Sequence, residues 1–149
     1  MTLDSVNKKI LNILLQSGRM SYTELAKAVD MKPPSIIERI NKMKNDGIIK
    51  GYSAQVDYSK LGYDITALIG VIIDSPEHIS AFEASVEEID IGIVNCYHVT
   101  GHYTLMLRVV TENTNSLALI IKKLRIIPGV TKTNTILILT TMMERMRII

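Results

Sequence analysis

Residues 21–46 read SYTELAKAVDMKPPSIIERINKMKND, and this stretch decides the fold of the first third of the chain. Ser21 and Glu24 have the spacing of a capping box, in which each side chain bonds the main-chain amide of the other, so a helix begins here. It ends near Asp30. A second helix begins at Pro33, because proline is tolerated in a first turn. Two helices joined by a three-residue turn predict a helix-turn-helix.

A helix before this pair and a strand after it complete the predicted domain. Apolar residues recur at helical spacing from Val6 to Leu14, and Gly18 ends that segment. Gly47 is the stop signal of the third helix. Residues 48–56 have strand character, and we expect them to form a wing or a connecting strand.

The remainder of the chain alternates between strand and helix periods. We expect strands at Ile65–Ile73, 93–100, 103–110 and 130–140, and helices at 76–89 and 113–127. Gly101 and His102 alone separate the middle strands, which predicts a tight hairpin. The chain is therefore assigned to the α+β class, with a winged helix-turn-helix domain at 1–52, a linker at 53–64 and a ferredoxin-like βαββαβ domain at 65–149.

One face of the predicted sheet has no helix to cover it. The strands nevertheless carry apolar residues on both sides, among them Val94, Met106, Ile136 and Ile138. A bare apolar face marks an interaction surface, so we expect the chain to self-associate. The last segment, 142–149, is also apolar, and we expect it to pack between subunits.

Composition and charge limit the possible functions. The 149 residues are 47% hydrophobic and 21% charged, as in globular proteins. Neither a membrane-spanning run nor a signal peptide is evident, and Cys96 is the only cysteine, so a cytoplasmic location is expected. Residues 1–52 hold nine lysines and arginines against five acidic residues, whereas residues 53–149 hold eight against ten. A basic first domain favours nucleic-acid binding, although such an excess also occurs on solvated surfaces.

The third helix has a polar side suited to DNA. With Ile36, Ile40 and Met43 buried, helical geometry places Pro34, Ser35, Glu38, Asn41, Lys42 and Asn45 outward. Such side chains can bond base edges in the major groove, and the surrounding Lys32, Lys44 and Lys50 can bind phosphates. Arg39 lies on the flank. It either binds a phosphate or forms an internal ion pair, for which Glu24 is a candidate partner.

Patterns for catalysis and metal binding are weak. His98 and His102 have a turn at Gly101 between them and no third ligand nearby, so a structural role outweighs a zinc site. Cys96 lies in a predicted strand, where we expect it to pack. No serine lies in a nucleophile-elbow or phosphate-loop context. We therefore expect no enzyme activity, catalytic residue, metal or cofactor.

Two groups of polar residues in the second domain are candidates for a small ligand. One is the hairpin turn, residues 100–104, where Gly101 has exposed amides beside hydroxyl-bearing residues. The other is the last strand, where Thr131, Thr133 and Thr135 alternate and share one face. Hydroxyls and free amides can bind a small zwitterion. The alternative is that threonine simply favours strands.

Motifs along the whole chain resemble one known family. They are Leu3-Asp4, Gly18-Arg19-Met20-Ser21, Glu24-Leu25-Ala26, Asp46-Gly47-Ile48-Ile49, Val99-Thr100-Gly101-His102-Tyr103 and Pro128-Gly129-Val130. In their order and spacing they are similar to the Lrp/AsnC family of bacterial and archaeal transcriptional regulators. The resemblance implies regulation of amino-acid metabolism, dimerisation through the C-terminal domain, frequent assembly into octamers, and amino-acid effectors bound between dimers.

The resemblance also implies positions for an effector, and it has departures. By position, the effector residues are Gly101, Tyr103, Thr104, Thr133 and Thr135. The family's Gly-x-Tyr-Asp motif ends in Thr104 here, which removes a carboxylate. The family's aspartate in the first helix is Asn7, and the serine that opens the recognition helix is Lys32, which removes a cap and adds a charge.

These observations predict a sequence-specific, dimer-based transcription regulator. Its expected partners are double-stranded DNA, an amino-acid-like effector and further copies of the chain, up to a tetramer or octamer. The expected DNA-binding residues are Lys32, Pro34, Ser35, Glu38, Arg39, Lys42 and Lys50. The alternative is a small-molecule-sensing or assembly protein that has lost specific DNA binding.

Overall fold

The computed structural model describes residues 3–89 and 92–148 and divides the chain into two compact units. The first unit contains the residues up to Gln55 together with the segment from Met142 onward, and the second is Val56–Thr141. The division therefore falls inside the segment expected to be a linker. The segment from Met142 onward, which we expected in the second domain, groups instead with the first unit.

Three helices form the first unit: α1 (Ser5–Gln16), α2 (Tyr22–Val29) and α3 (Pro33–Asn45). Their apolar sides meet in a core of Ile10, Leu11, Leu25, Ala26, Ile36, Ile40 and Met43. The last three residues are the stripe predicted for α3. Burying each large side chain contributes about 1.5–3 kcal/mol, and this packing turns the polar side of α3 outward.

The caps and the turn of the helix-turn-helix match the prediction. The Ser21 hydroxyl accepts from the amide of Glu24 at 3.2 Å, and the Glu24 carboxylate accepts from the amide of Ser21 at 2.8 Å. These bonds hold the pKa of the Glu24 carboxyl below its usual value. α2 ends at Asp30, whose φ of 55° turns the chain toward α3. The helix-turn-helix is thereby confirmed.

Residues 48–56 form no strand, so the expectation of strand structure there was wrong. Gly47, with a φ of 71°, reverses the chain after α3. The amides of Ile48 and Ile49 then both donate to the carbonyl of Met43, at 2.8 and 3.1 Å. These two amides bond the end of α3, and the side chains of Ile48 and Ile49 pack on the core of the first unit. The two residues therefore do not pair with a strand.

The second unit is a four-stranded antiparallel sheet with helices on one face. Its elements are β1 (Ile65–Ile73), α4 (Glu77–Glu88), β2 (Ile93–His98), β3 (Leu105–Thr111), α5 (Thr114–Arg125) and β4 (Val130–Leu137). The strand order β2-β3-β1-β4 confirms the ferredoxin-like arrangement. Among the described residues, every helix is too short or too polar to cross a bilayer.

The two faces of the sheet differ in how they are covered. Ala67, Ile69 and Val71 of β1 are fully buried against Phe82 of α4 and Leu124 of α5. The register places Leu68, Gly70, Ile72, Met106, Arg108, Val110, Tyr97 and Ile136 on the other side, which we call the open face. Tyr97 and Ile136 are 53% and 47% exposed there. Neither helix of the second unit covers this face.

The connection between β2 and β3 is longer than predicted. The strands end at His98 and resume at Leu105, so six residues join them instead of the two expected. Thr104 explains the difference because it bonds to β1: its amide donates to Val71 at 2.9 Å, and its hydroxyl accepts from the amide of Ile73 at 3.0 Å. These bonds place residues 99–104 in a loop at the end of the sheet.

Candidate nucleic-acid interface and effector region

The outward side of α3 carries the polar residues expected from the sequence. Pro34, Glu38 and Lys42 are exposed, and Ser35 is half-buried. Ile37 is 39% exposed beside them, and the sequence pattern alone did not mark it. An apolar side chain on such a surface can contact the methyl group of thymine.

Basic residues surround this surface. Lys32 is the N-cap of α3 and makes no side-chain cap bond, in accord with the loss of the serine that the resemblance implied. Lys42 and Lys44 lie in the last turn. The Lys44 ammonium lies 5.3 Å from the centre of the Tyr52 ring, a cation–π contact that ties α3 to the segment after it. Lys50 is exposed on that segment.

Arg39 forms an internal ion pair, but the partner is Asp4 and the suggestion of Glu24 was wrong. Its Nη1 donates to Asp4 Oδ2 at 2.6 Å and to Asn7 Oδ1 at 2.9 Å. Glu24 is used instead in the capping box of α2. Because residues 4 and 39 are distant in sequence, spacing could not reveal this contact.

Asp4 therefore has two roles in the first unit. Its Oδ1 accepts from the amide of Asn7 at 2.7 Å, which caps α1, while its other oxygen binds Arg39 of α3. The amide of Asn7 and then the Arg39 guanidinium hold the pKa of the Asp4 carboxyl below its usual value. The N-terminus of α1 is thus fixed to the middle of α3.

Asn7 binds the same Arg39 guanidinium and lies on the buried side of this contact. It is 4% exposed, and its side-chain oxygen accepts from Arg39. The guanidinium therefore faces one carboxylate and one neutral amide. Beside it lies a cleft of about 410 Å³, lined by Asp4, Asn7, Met31, Ser35, Glu38, Arg39 and Lys42.

In the second unit, the threonines of β4 lie on the helix side of the sheet. Thr133 and Thr135 pair with residues of β1 that face the helices. The Thr133 hydroxyl accepts from Arg125 Nε at 2.9 Å, which links β4 to the end of α5. Thr131 lies where the register of β4 shifts, and it donates its hydroxyl to the carbonyl of Ile72 at 3.2 Å.

Tyr103 lies against the opposite side of the sheet. A Cβ atom at Gly70 of β1 would lie 2.7 Å from its ring, so a side chain at position 70 would displace Tyr103. The Tyr103 hydroxyl accepts from Asn134 Nδ2 at 2.8 Å. The structure therefore does not bring Tyr103 onto the same face as Thr133 and Thr135.

Gly101 and Thr104 belong to the loop between β2 and β3. Gly101 has a φ of 107°, a conformation that favours glycine. The Thr104 hydroxyl oxygen accepts from the amide of Ile73, so the hydroxyl proton of Thr104 is still available to bond a ligand. The bonds of Thr104 to β1 thus fix this loop at the end of the sheet whether or not Thr104 contacts an effector.

Cys96 is exposed on edge strand β2, so the expectation that it packs was wrong. The cause is the position of β2 at the sheet edge, where neighbours lie on one side only. Partial burial and the nearby Glu83 carboxylate raise the pKa of the thiol. Among the described residues, no three His, Cys, Asp or Glu side chains cluster as a metal site would require.

Comparison with known proteins assigns both units. Residues 3–50 match the winged helix-turn-helix DNA-binding family, and residues 66–148 match the Lrp/AsnC ligand binding domain. The chain belongs to the Lrp/AsnC family. Members of this family are transcriptional regulators, as both domain assignments and the relatives indicate.

Relatives of this Lrp/AsnC protein match it over nearly the full length. The regulatory protein AsnC of Haemophilus influenzae is 34% identical over 136 residues, covering 91% of this chain and 90% of the relative. An HTH-type transcriptional regulator of Pyrococcus horikoshii is 33% identical over 148 residues, covering 99% of each.

Solved structures have the same architecture. The structure of Escherichia coli AsnC has a TM-score of 0.89 at 31% identity and covers 98% of both chains. A transcriptional regulator of Neisseria meningitidis, solved as a complex with L-methionine, has a TM-score of 0.92 at 23% identity, covering 99% of this chain and 96% of that one. The likeness to the Neisseria meningitidis structure shows that the two chains share a fold.

The Asp4–Arg39 contact predicts an acid-sensitive first unit. Because the pKa of Asp4 is lowered from 3.8, its ionised form adds stability above that value, and the contribution is lost as pH falls through the folded pKa. Asp4→Asn keeps a capping oxygen but no charge. We expect it to be less stable than the wild type at neutral pH, and we expect this difference to shrink as the pH falls below 3.8.

Urea unfolding of the full chain at a series of pH values, followed by circular dichroism, measures this difference. Asp46→Asn is the control, because Asp46 forms no ion pair with a described residue. Its pH profile should follow that of the wild type. Parallel profiles for Asp4→Asn and the wild type would contradict the role of Asp4.

The bond between Thr104 and Ile73 predicts a stability effect in the second unit. Thr104→Val leaves the Ile73 amide without its acceptor and should lower the free energy of unfolding by about 1–3 kcal/mol. Thr104→Ser keeps the hydroxyl and should lose less. Chemical denaturation without added ligand compares the two. Equal stability of the Val and Ser variants would show that this bond contributes nothing.

Proposed function

We propose that the protein is a sequence-specific, DNA-binding regulator of amino-acid metabolism that acts as a dimer and responds to an amino-acid-like effector. The observation that carries this proposal is the outward side of α3: exposed hydrogen-bonding residues, flanked by lysines, in the helix-turn-helix of a Lrp/AsnC chain. A regulator acts where the DNA is, so we place it in the cytoplasm. We assign it no enzyme activity.

The base-reading residues of this proposal lie on α3. Glu38 can accept from the amino group of cytosine, and Ser35 can bond several base edges. Lys42 can donate to guanine, whereas Pro34 and Ile37 offer apolar contact to thymine. Such contacts decide which sequence is preferred.

Lysines outside this surface supply affinity without sequence preference. Lys32 at the start of α3 and Lys50 after it are exposed and can bind phosphates on either side of the groove. Arg39 has a different role in this proposal. Because it is held by Asp4 and Asn7, it fixes the angle between α1 and α3 and positions the DNA-binding residues.

The open face supports a dimer. Tyr97 and Ile136 are large, exposed and on the uncovered side of the sheet, and a second copy of the same face would bury them. A dimer would present two copies of α3 to half-sites about 34–36 Å apart, one turn of DNA, or a multiple of this distance. Assembly into tetramers or octamers would bend the DNA around the protein.

We place the amino-acid-like effector at the loop at the end of the sheet. The Neisseria meningitidis regulator was solved with L-methionine, and this chain shares its fold. We propose that the amides near Gly101 bind the effector carboxylate, and that Tyr103 and Thr104 contact the rest. Thr133 and Thr135 lie on the helix side of β4, so they would contact the effector only across the sheet edge. With Thr104 in place of a carboxylate, neutral oxygens must bind the ammonium group.

Two kinds of substitution test the assignment of α3. Glu38→Ala and Ser35→Ala should change the preferred sequence, with a cost of about 1–3 kcal/mol at the base that is read. Lys50→Ala should weaken binding to all sequences alike and reduce the slope of affinity against salt by about 1. Selection from random DNA, followed by titrations at several salt concentrations, measures both effects.

Lys60→Ala is the matched control, because this exposed lysine lies in the second unit. It should leave both sequence preference and salt slope unchanged. If Glu38→Ala and Lys50→Ala act in the same way, the assigned face of α3 is wrong. If the wild type binds no DNA in low salt, the proposed function itself fails.

A further inference from the structure

A groove of about 670 Å³ lies beside α1. Lys9, Asn12, Ile13 and Met20 line one part of it, and Ile148 lines another. All of these residues belong to the first unit. The DNA-binding surface of α3 does not use this groove.

Asn12 binds the main chain of one residue through both ends of its side-chain amide. Its Oδ1 accepts from the amide of Ile148 at 2.7 Å, and its Nδ2 donates to the carbonyl of Ile148 at 3.3 Å. A neighbouring β-strand would make the same pair of bonds. Asn12 therefore recognises extended main chain at position 148 and not a particular side chain.

The Ile148 side chain adds an apolar contact at the same point. It is half-buried and packs against the core of the three helices, as do Ile13 and Met20. Met142 and Met143, by contrast, are 91% and 67% exposed. The contact is thus concentrated at the last described residue of the segment.

We propose that Asn12 is the anchor that holds the chain's own segment 142–148 beside α1, through the main chain of Ile148, so that this segment is part of the DNA-binding unit in solution. The chain leaves the first unit after Gln55 and returns to it at Met142.

The expectation that segment 142–149 packs between subunits stays a separate prediction. Docking itself does not depend on the proposed function, whereas any effect of release on DNA binding does. The test therefore observes docking directly, in the full chain and without DNA. Failure of docking and failure of DNA binding are then separate results.

The first experiment measures amide hydrogen exchange by NMR. In the wild type, exchange of the Ile148 amide should be slowed by about tenfold or more relative to an unstructured peptide. Asn12→Ala should remove this protection. Gln16→Ala is the control, because Gln16 lines the same groove one turn further along α1 and forms no hydrogen bond with the described residues of the segment. Protection that survives Asn12→Ala would overturn the proposal.

A second pair of variants tests recognition of the main chain. Ile148→Val keeps the amide and most of the apolar surface, whereas Ile148→Pro removes the amide proton that Asn12 binds. The side-chain NH₂ signals of Asn12 should stay in place in the Val variant and move to free-amide positions in the Pro variant. Identical signals in both variants would contradict the role of Asn12.

Mixing two defective chains distinguishes docking within one chain from docking on a second copy. Asn12→Ala chains retain an intact segment, and Ile148→Pro chains retain an intact Asn12. If each segment docks on its own chain, the mixture shows no protected Ile148 amide. Protection restored in the mixture would show exchange between copies and overturn the proposal.

Discussion

The constraint on which the second unit depends is that both helices cover the same face of its sheet. In a βαββαβ chain the two crossovers place α4 and α5 together, so one side of β1 is buried under helices and the other is not covered by either of them. The open face keeps Tyr97 and Ile136 in contact with solvent. A second copy of the chain offers the same shape and chemistry, which is why the proposed dimer begins here.

The first unit depends on a contact between its ends. Asp4 caps α1 and binds Arg39 of α3, with Asn7 buried behind them. The orientation of α3 is therefore fixed from α1 as well as by the shared core. The exposed residues of α3 are then carried on a rigid element, as base recognition requires.

Local sequence signals predicted most of the elements. The capping box at Ser21 and Glu24, the helix stop at Gly47 and strand Ile65–Ile73 all follow from propensity and spacing. The helices of the second unit agree within a few residues. These features depend on contacts between residues that are close in sequence, so the sequence alone is sufficient to predict them.

The predictions failed where the structure of a residue depends on a partner that is distant in sequence. Residues 48–56 have strand character, yet Ile48 and Ile49 bond to the end of α3. The connection between β2 and β3 is longer than expected because Thr104 bonds to β1. Arg39 pairs with Asp4, which no local spacing marks. In the effector region, residues chosen by position lie on both sides of the sheet, since alternation fixes a face only once the register is known.

The most direct test of the account compares two neighbouring residues of β4. Ile136 lies on the open face and Leu137 on the helix side, and they are 47% and 48% exposed. Sedimentation and DNA titration of Ile136→Glu and Leu137→Glu separate the two faces. The account predicts that Ile136→Glu dissociates the dimer and weakens DNA binding by about tenfold or more, because two linked half-sites are lost. It predicts that Leu137→Glu keeps the wild-type mass. A dimer that persists in Ile136→Glu with unchanged DNA affinity would contradict it.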